Sequence, residues 1–140
     1  MTTKTANKVI LVNPPPDYDR ETYKRFDISM AAGTPFGLLL LATILRKAGF
    51  TVRIIDGQIV DCSKELAAEM LNKNVLCIGF SVMTSQLENA QELSALAKGI
   101  DKQIPVIWGG FHPSILPDEV MQFPSVDFAI AGEGDVALLQ

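Results

Sequence analysis

The apolar residues of this chain fall into five short runs, separated by segments in which they recur at the helical period. Val9-Ile10-Leu11-Val12 is an unbroken apolar run, the pattern of a strand buried on both faces. Thr51 to Ile55, Val75 to Phe80, Pro105 to Trp108 and Asp127 to Ile130 are the other expected strands. Between them, Leu38, Leu41, Ala42 and Leu45 predict a helix over Phe36 to Ala48, with Thr34 as candidate cap, Pro35 in the first turn and Gly49 as the stop. Leu66, Ala67, Met70 and Leu71 form the inward stripe of a helix from Ser63 to Leu71, with Ser63 as its cap. Leu87, Ala90, Leu93, Leu96, Ala97 and Ile100 do the same over Gln86 to Ile100. A shorter helix is expected over Ile115 to Phe123, capped by Ser114 or Asp118, and another opens at Gly132-Glu133-Gly134-Asp135.

Apolar strands alternating with helices predict an α/β fold: a doubly wound, mostly parallel five-stranded sheet of flavodoxin-like or Rossmann-like architecture. The 140 residues fit one domain, without repeats, linkers or low-complexity tracts. The connection from Asn13 to Thr34 is long for a strand-to-helix loop. Its Tyr18, Tyr23, Phe26, Ile28 and Met30 argue against plain disorder, because disordered tracts are poor in aromatics. Pro14-Pro15-Pro16 reads as a stiff spacer that turns the chain away from the sheet.

Composition narrows the partners. Twelve basic against sixteen acidic residues give a net charge of −4, with the basic residues scattered, which argues against a nucleic-acid partner. The first eight residues hold no apolar signal region, and no apolar run approaches the ~20 residues of a membrane span. Cys62 and Cys77 are the two cysteines. Cys77 lies in an apolar run and is expected to be a buried hydrophobe; a disulfide framework is not expected, and a cytoplasmic location follows as the default.

Candidate chemistry gathers at the strand ends, because ligands of open α/β sheets bind at the carboxyl edge. After the third strand come Ser81-Val82-Met83-Thr84-Ser85, whose hydroxyls either donate to a ligand or cap the next helix, two compatible roles. Gly109-Gly110 after the fourth strand either admit a ligand close to the backbone or supply a turn with positive φ. Phe111 and His112 follow; a lone loop histidine is ordinarily a surface or capping residue, and without a second histidine no zinc site can be built. After the fifth strand, Glu133 between Gly132 and Gly134 either accepts from ribose or amide donors or simply favours a helix start. Asp56 either binds a hydroxyl or makes the Asp-Gly turn. No G-x-G-x-x-G follows the first strand and no Walker A loop is present, which excludes the usual dinucleotide and P-loop sites.

Taken in order, the motifs Val12-Asn13-Pro14-Pro15, Thr34-Pro35-Phe36-Gly37-Leu38, Ile55-Asp56-Gly57, Gly79-Phe80-Ser81-Val82-Met83-Thr84, Gly109-Gly110-Phe111-His112-Pro113 and Ala131-Gly132-Glu133-Gly134-Asp135 resemble the cobalamin-binding domain of cobalamin-dependent radical SAM enzymes. Within that group the chain is similar to the anaerobic magnesium-protoporphyrin monomethyl ester cyclases. The resemblance implies that the corrin lies over the carboxyl edge and that the nucleotide tail enters a groove beside the central strands. It implies cofactor contacts from Asn13, Pro14, Ser81, Val82, Met83, Thr84, Ser85, Gly109, Gly110, Phe111, His112, Gly132, Glu133 and Gly134. The cobalt-ligating D-x-H-x-x-G of the methionine-synthase branch is replaced by Asn13-Pro14-Pro15-Pro16-Asp17-Tyr18, so a histidine on cobalt is not expected. The C-x-x-x-C-x-x-C that would hold a [4Fe–4S] cluster is absent, and the last helical pattern is cut short. These features predict a cobalamin-binding module of a longer enzyme, whose radical SAM domain would bring S-adenosylmethionine and the cluster. That enzyme would carry out oxidative ring closure on a tetrapyrrole or methyl transfer to an unactivated carbon. The rival expectations are a flavodoxin-like domain for a different nucleotide or flavin, and a ligand-free docking domain.

Overall fold

Five parallel strands make one sheet in the order β2-β1-β3-β4-β5 in the computed structural model, which describes residues 5–18, 33–72 and 74–140. The strands are β1 Lys8–Asn13, β2 Thr51–Asp56, β3 Val75–Ser81, β4 Val106–Gly109 and β5 Phe128–Ala129. The helices are α1 Phe36–Lys47, α2 Cys62–Met70, α3 Leu87–Ile100, α4 Phe111–Ile115, α5 Pro117–Val120 and α6 Gly134–Ala137. The expected α/β architecture is the observed one, and every paired strand is parallel. Most of the long connection after β1, with Tyr23, Phe26, Ile28 and Met30, lies outside the described residues. No helix among the described residues is long and apolar enough to cross a membrane.

The sheet is covered unequally, and that inequality makes the site. On one face Ile10, Val12, Ile78, Phe80, Val106 and Trp108 pack against Leu66 and Met70 of α2 and Ala90, Leu93 and Ala97 of α3. On the other, Val9, Leu11 and Val52 meet Leu38, Ala42 and Leu45 of α1, with Leu138 packed against the same cluster. Because strand order reverses beside β1, α1 leaves toward β2 and sits over the β1–β2 half. Over β3 and β4 the same face carries Gly79, Ser81, Ile107 and Gly109, in register as Gly79 with Ile107 and Ser81 with Gly109. Its small residues leave space where a helix would otherwise pack.

Trp108 is fully buried, and its indole N–H donates to Ser94 Oγ at 2.9 Å. Ser94→Ala should therefore strand a buried donor and cost about 1–3 kcal/mol in urea unfolding; an unchanged midpoint would contradict this role. At the sheet's amino end, Asp127 accepts from the Val106 N–H at 2.7 Å and pairs with Lys98. Burial alone would raise the Asp127 pKa, but the hydrogen bonds from Lys98 and Val106 and the Lys98 charge outweigh it and hold the carboxyl below its ordinary value. The folded pKa is then below the unfolded one, so this stabilisation is present at neutral pH and is lost as pH falls through the lowered value. The stability gap between wild type and Asp127→Asn, measured by urea unfolding at pH 7 and near pH 3, should narrow at the acid end.

Helix ends depart from expectation in instructive ways. Gly49 does stop α1: at φ 96° its N–H donates to the Arg46 carbonyl, and Phe50 donates to that of Leu45. Pro35, however, stands at the N-cap rather than in the first turn, and Thr34 makes no side-chain cap. Asp61, not Ser63, caps α2, accepting from the Ser63 and Lys64 amides. Leu71 and Ile100 are exposed where the stripes placed them inward; each lies at the end of its helix. The more buried cysteine is Cys62, whose thiol is pushed up to about 12 by burial and then by the Asp56 and Asp61 charges, whereas Cys77 is half-buried. The helix expected over 115–123 is instead two short ones: it starts earlier, at Phe111, and breaks between Leu116 and Pro117, so Ser114 and Asp118 cap nothing. The last helix begins at Gly134.

Candidate functional site

The space left over β3 and β4 is a groove of about 190 Å³ at the carboxyl edge. Its floor is Leu11, Gly79, Ser81, Ile107 and Gly109; one wall is Gly37, Leu38, Leu40 and Leu41 of α1, and the other is Gly132 to Asp135 with Leu138. Smaller than the ~300–1,000 Å³ of drug-sized pockets, it suits a flat ring and not a whole macrocycle. Among its described lining residues there is no lysine or arginine, while Glu133 and Asp135 both face it. Such a groove accepts hydrogen bonds from hydroxyl or amide donors and repels a bare phosphate.

The adjacent glycines at the end of β4 and just after it do different work. A Cβ on Gly109 would find nothing nearer than Ile130 Cβ at 4.0 Å, so its missing side chain is open groove. Gly110 has φ 100° and ψ −160°, and a Cβ there would lie 3.0 Å from the Val82 amide nitrogen. Its glycine is a backbone requirement. Around it the strand-end loops are stitched together: Val82 N–H donates to the Gly109 carbonyl at 2.8 Å, and His112 N–H to the Val82 carbonyl at 3.0 Å. Ser114 donates to the Gly110 carbonyl at 2.7 Å and accepts from Gly132 N–H at 2.9 Å, joining the loops after β4 and β5.

Beside the groove lies a rim at the same edge. Met83, Thr84 and Phe111 are exposed on it and Ser85 is half-buried. Neither Thr84 nor Ser85 caps α3. Asp17 does so from the loop after β1, accepting from the Glu88 and Asn89 amides at 3.1 and 3.0 Å. Pro14-Pro15-Pro16 does not lead away from the sheet; Pro14 is buried, and the run lies along the start of α3, bonded through Gln86 and Asn89. Asn13 is also buried: its amide donates to Asp56 and accepts from Gln86, so its hydrogen-bonding atoms are engaged within the fold. Asp56 makes the turn, accepting from the Gln58 amide as well. His112 is 3% exposed, not a surface residue, with Nδ1 3.1 Å from Thr84 Oγ1.

Of the residues singled out in the sequence, the structure therefore gathers Ser81, Gly109, Gly110, Gly132, Glu133 and Gly134 in the groove. Met83, Thr84, Ser85 and Phe111 stand on the rim, while Asn13, Pro14, Val82 and His112 are buried behind it. Sequence reasoning missed the α1 wall and Ser114. Leu41 belongs to a helical stripe indistinguishable from core, and the bonds of Ser114 span residues 110 to 132 with no local signature.

Residues 29–140 match the B12 binding domain family. The chain belongs to that family. Among curated relatives, it is 30% identical to an uncharacterized methyltransferase of Pyrococcus horikoshii over 92% of this chain and 27% of that protein. It is 26% identical to the cytidylyl-2-hydroxyethylphosphonate methyltransferase of Streptomyces wedmorensis over 98% of this chain and 28% of that one. The B12-binding domain thus spans about a quarter of the length of these relatives. In fold it is similar to the radical S-adenosylmethionine methyltransferase TsrM of Kitasatospora setae, with cobalamin and a [4Fe-4S] cluster bound (TM-score 0.76, 19% identity, 96% of this chain and 24% of that one). It is also similar to the cobalamin-dependent radical enzyme OxsB (TM-score 0.74, 23% identity, 95% of this chain and 18% of that one). Cobalamin is accordingly the cofactor of this domain.

Proposed function

We propose that this B12-binding domain holds cobalamin with the nucleotide tail in the groove and the corrin over the rim, as one module of a longer radical SAM methyltransferase. The observation that carries the reading is the groove itself, opened by Gly79, Ser81 and Gly109 on the sheet face that α1 leaves bare. Its size suits the base of the tail, and Ser81 and Glu133 stand where they can accept from ribose or amide donors. Gly110, Gly132 and Gly134 let the loops close around the tail, and Asn13, Pro14, Val82 and His112 brace them from behind. Met83, Thr84, Ser85 and Phe111 would lie beneath the corrin.

Bound there, cobalamin would supply cobalt-centred methyl-carrying chemistry to the rest of the enzyme. With only two cysteines, one of them held as a thiol by burial, this chain's own residues suit no [4Fe–4S] cluster. S-adenosylmethionine and the cluster fall to a radical SAM domain. Methyl transfer is the reaction we favour, because both curated relatives named above are methyltransferases. Ring closure of a tetrapyrrole rests on sequence motifs alone. Against the flavin reading stand the acidic, cation-free groove lining and the absent phosphate loop. Titration with hydroxocobalamin, followed in the visible spectrum, should saturate at one cobalamin per chain. A spectrum that never saturates, or tighter binding of flavin mononucleotide, would overturn the reading.

A further inference from the structure

His112 is the chain's one histidine, 3% exposed, and its Nε2 is shut off from water. Nδ1 lies 3.1 Å from Thr84 Oγ1, on the rim. Nε2 makes no hydrogen bond to any described residue, yet Glu119 Oε1 of α5 stands 3.5 Å away, at the limit of hydrogen-bond range and poorly aligned. A carboxylate at that distance attracts an N–H and repels a lone pair. In the neutral form of the ring the proton is therefore placed on Nε2, which leaves Nδ1 as an acceptor. Thr84 must then donate its hydroxyl hydrogen inward to Nδ1, and what it shows at the rim is an oxygen with lone pairs only.

We infer that His112 is a positioning residue, oriented by Glu119, that fixes the hydroxyl of the exposed Thr84 as a hydrogen-bond acceptor for an N–H donor of the ligand. Resting on the cobalamin reading, the ligand group is a primary carboxamide on the corrin periphery. A carbonyl or phosphate oxygen at that point would meet a lone pair. The arrangement also explains why a histidine is buried here: its imidazole carries the preference of a carboxylate on α5 through to a hydroxyl after β3, across two loops already joined by the His112 N–H to Val82 carbonyl bond.

Two measurements test it, and the first needs no ligand. With one histidine in the chain, ¹⁵N-histidine labelling gives a single ring to observe by long-range nitrogen–proton correlation at neutral pH. The expected result is a proton on Nε2 in wild type; a proton on Nδ1 overturns the assignment. Glu119→Gln should raise the minor Nδ1–H form, and no change in the tautomer ratio would show that Glu119 does not orient the ring. The second compares hydroxocobalamin with its monocarboxylate derivatives, in each of which one carboxamide has become an acid. One isomer should bind wild type about three- to tenfold more weakly than the parent, a difference that Thr84→Val erases and Thr84→Ser keeps. Equal losses in wild type and Thr84→Val would remove Thr84 from the contact. If wild type binds no cobalamin at all, the proposed function and the carboxamide assignment fall together, while the tautomer result still decides whether Thr84 is an acceptor.

Discussion

Gly109→Leu is expected to abolish cobalamin binding while leaving the fold intact. The position sits on the bare face of β4, opposite Ser81 in register, and its missing side chain opens onto the groove. A Cβ meets only Ile130 Cβ at 4.0 Å, so the first atom of a side chain enters without displacing backbone. Glycine within a strand is itself a weak choice, by about 0.5–1 kcal/mol relative to alanine, so the stability of the variant should equal or slightly exceed that of wild type. Its branched side chain, however, would occupy much of a space of about 190 Å³. A loss of a hundredfold or more, about 2.7 kcal/mol, is the expected scale in a hydroxocobalamin titration. Gly109→Ala should lose far less. A Gly109→Leu chain that folds and binds like wild type would mean that the tail does not use this groove.

The neighbouring change, Gly110→Ala, should do the opposite: it should destabilise the protein before any ligand is considered. At φ 100° and ψ −160° this residue occupies a region reached essentially by glycine alone, at a strain of about 1–3 kcal/mol for other residues. The added Cβ would lie 3.0 Å from Val82 N and 3.3 Å from Val82 O, backbone atoms engaged to Gly109 and His112. They cannot move aside without breaking the stitch between the two strand-end loops. Strain and crowding together suggest about 3 kcal/mol, a fall of roughly 10 °C in Tm. Thermal unfolding within about 1 °C of wild type would show that the loop relaxes freely. For this reason a bulky residue at Gly110 says little about ligand binding, and Gly109 is the informative position.

The sheet was legible in the sequence because its strands are apolar on both faces, as the runs at Val9 to Val12 and Val75 to Phe80 show; so was α1, where stripe and stop signal agree at Gly49. What escaped was set by tertiary contacts. Asp17 caps α3 from 71 residues away, a role for which the local sequence offered Thr84 or Ser85. Pro117, visible in the sequence, breaks the helix that apolar spacing alone carried through it. At the site, the glycines and hydroxyls of the strand ends could be read directly because small residues after apolar runs are unusual. That Gly109 leaves space while Gly110 relieves strain could not be read, since both reasons produce the same letter. Nor could the acceptor character of Thr84, which depends on a histidine 28 residues away.

Binding hydroxocobalamin and tail-less cobinamide side by side to the same protein asks whether the nucleotide tail, in the groove between α1 and the β3–β4 half of the sheet, is what holds the cofactor. Cobalamin should bind saturably, one to one, with cobinamide weaker by at least about a hundredfold. Equal affinity for the two corrins, or no saturable binding of cobalamin, would contradict it.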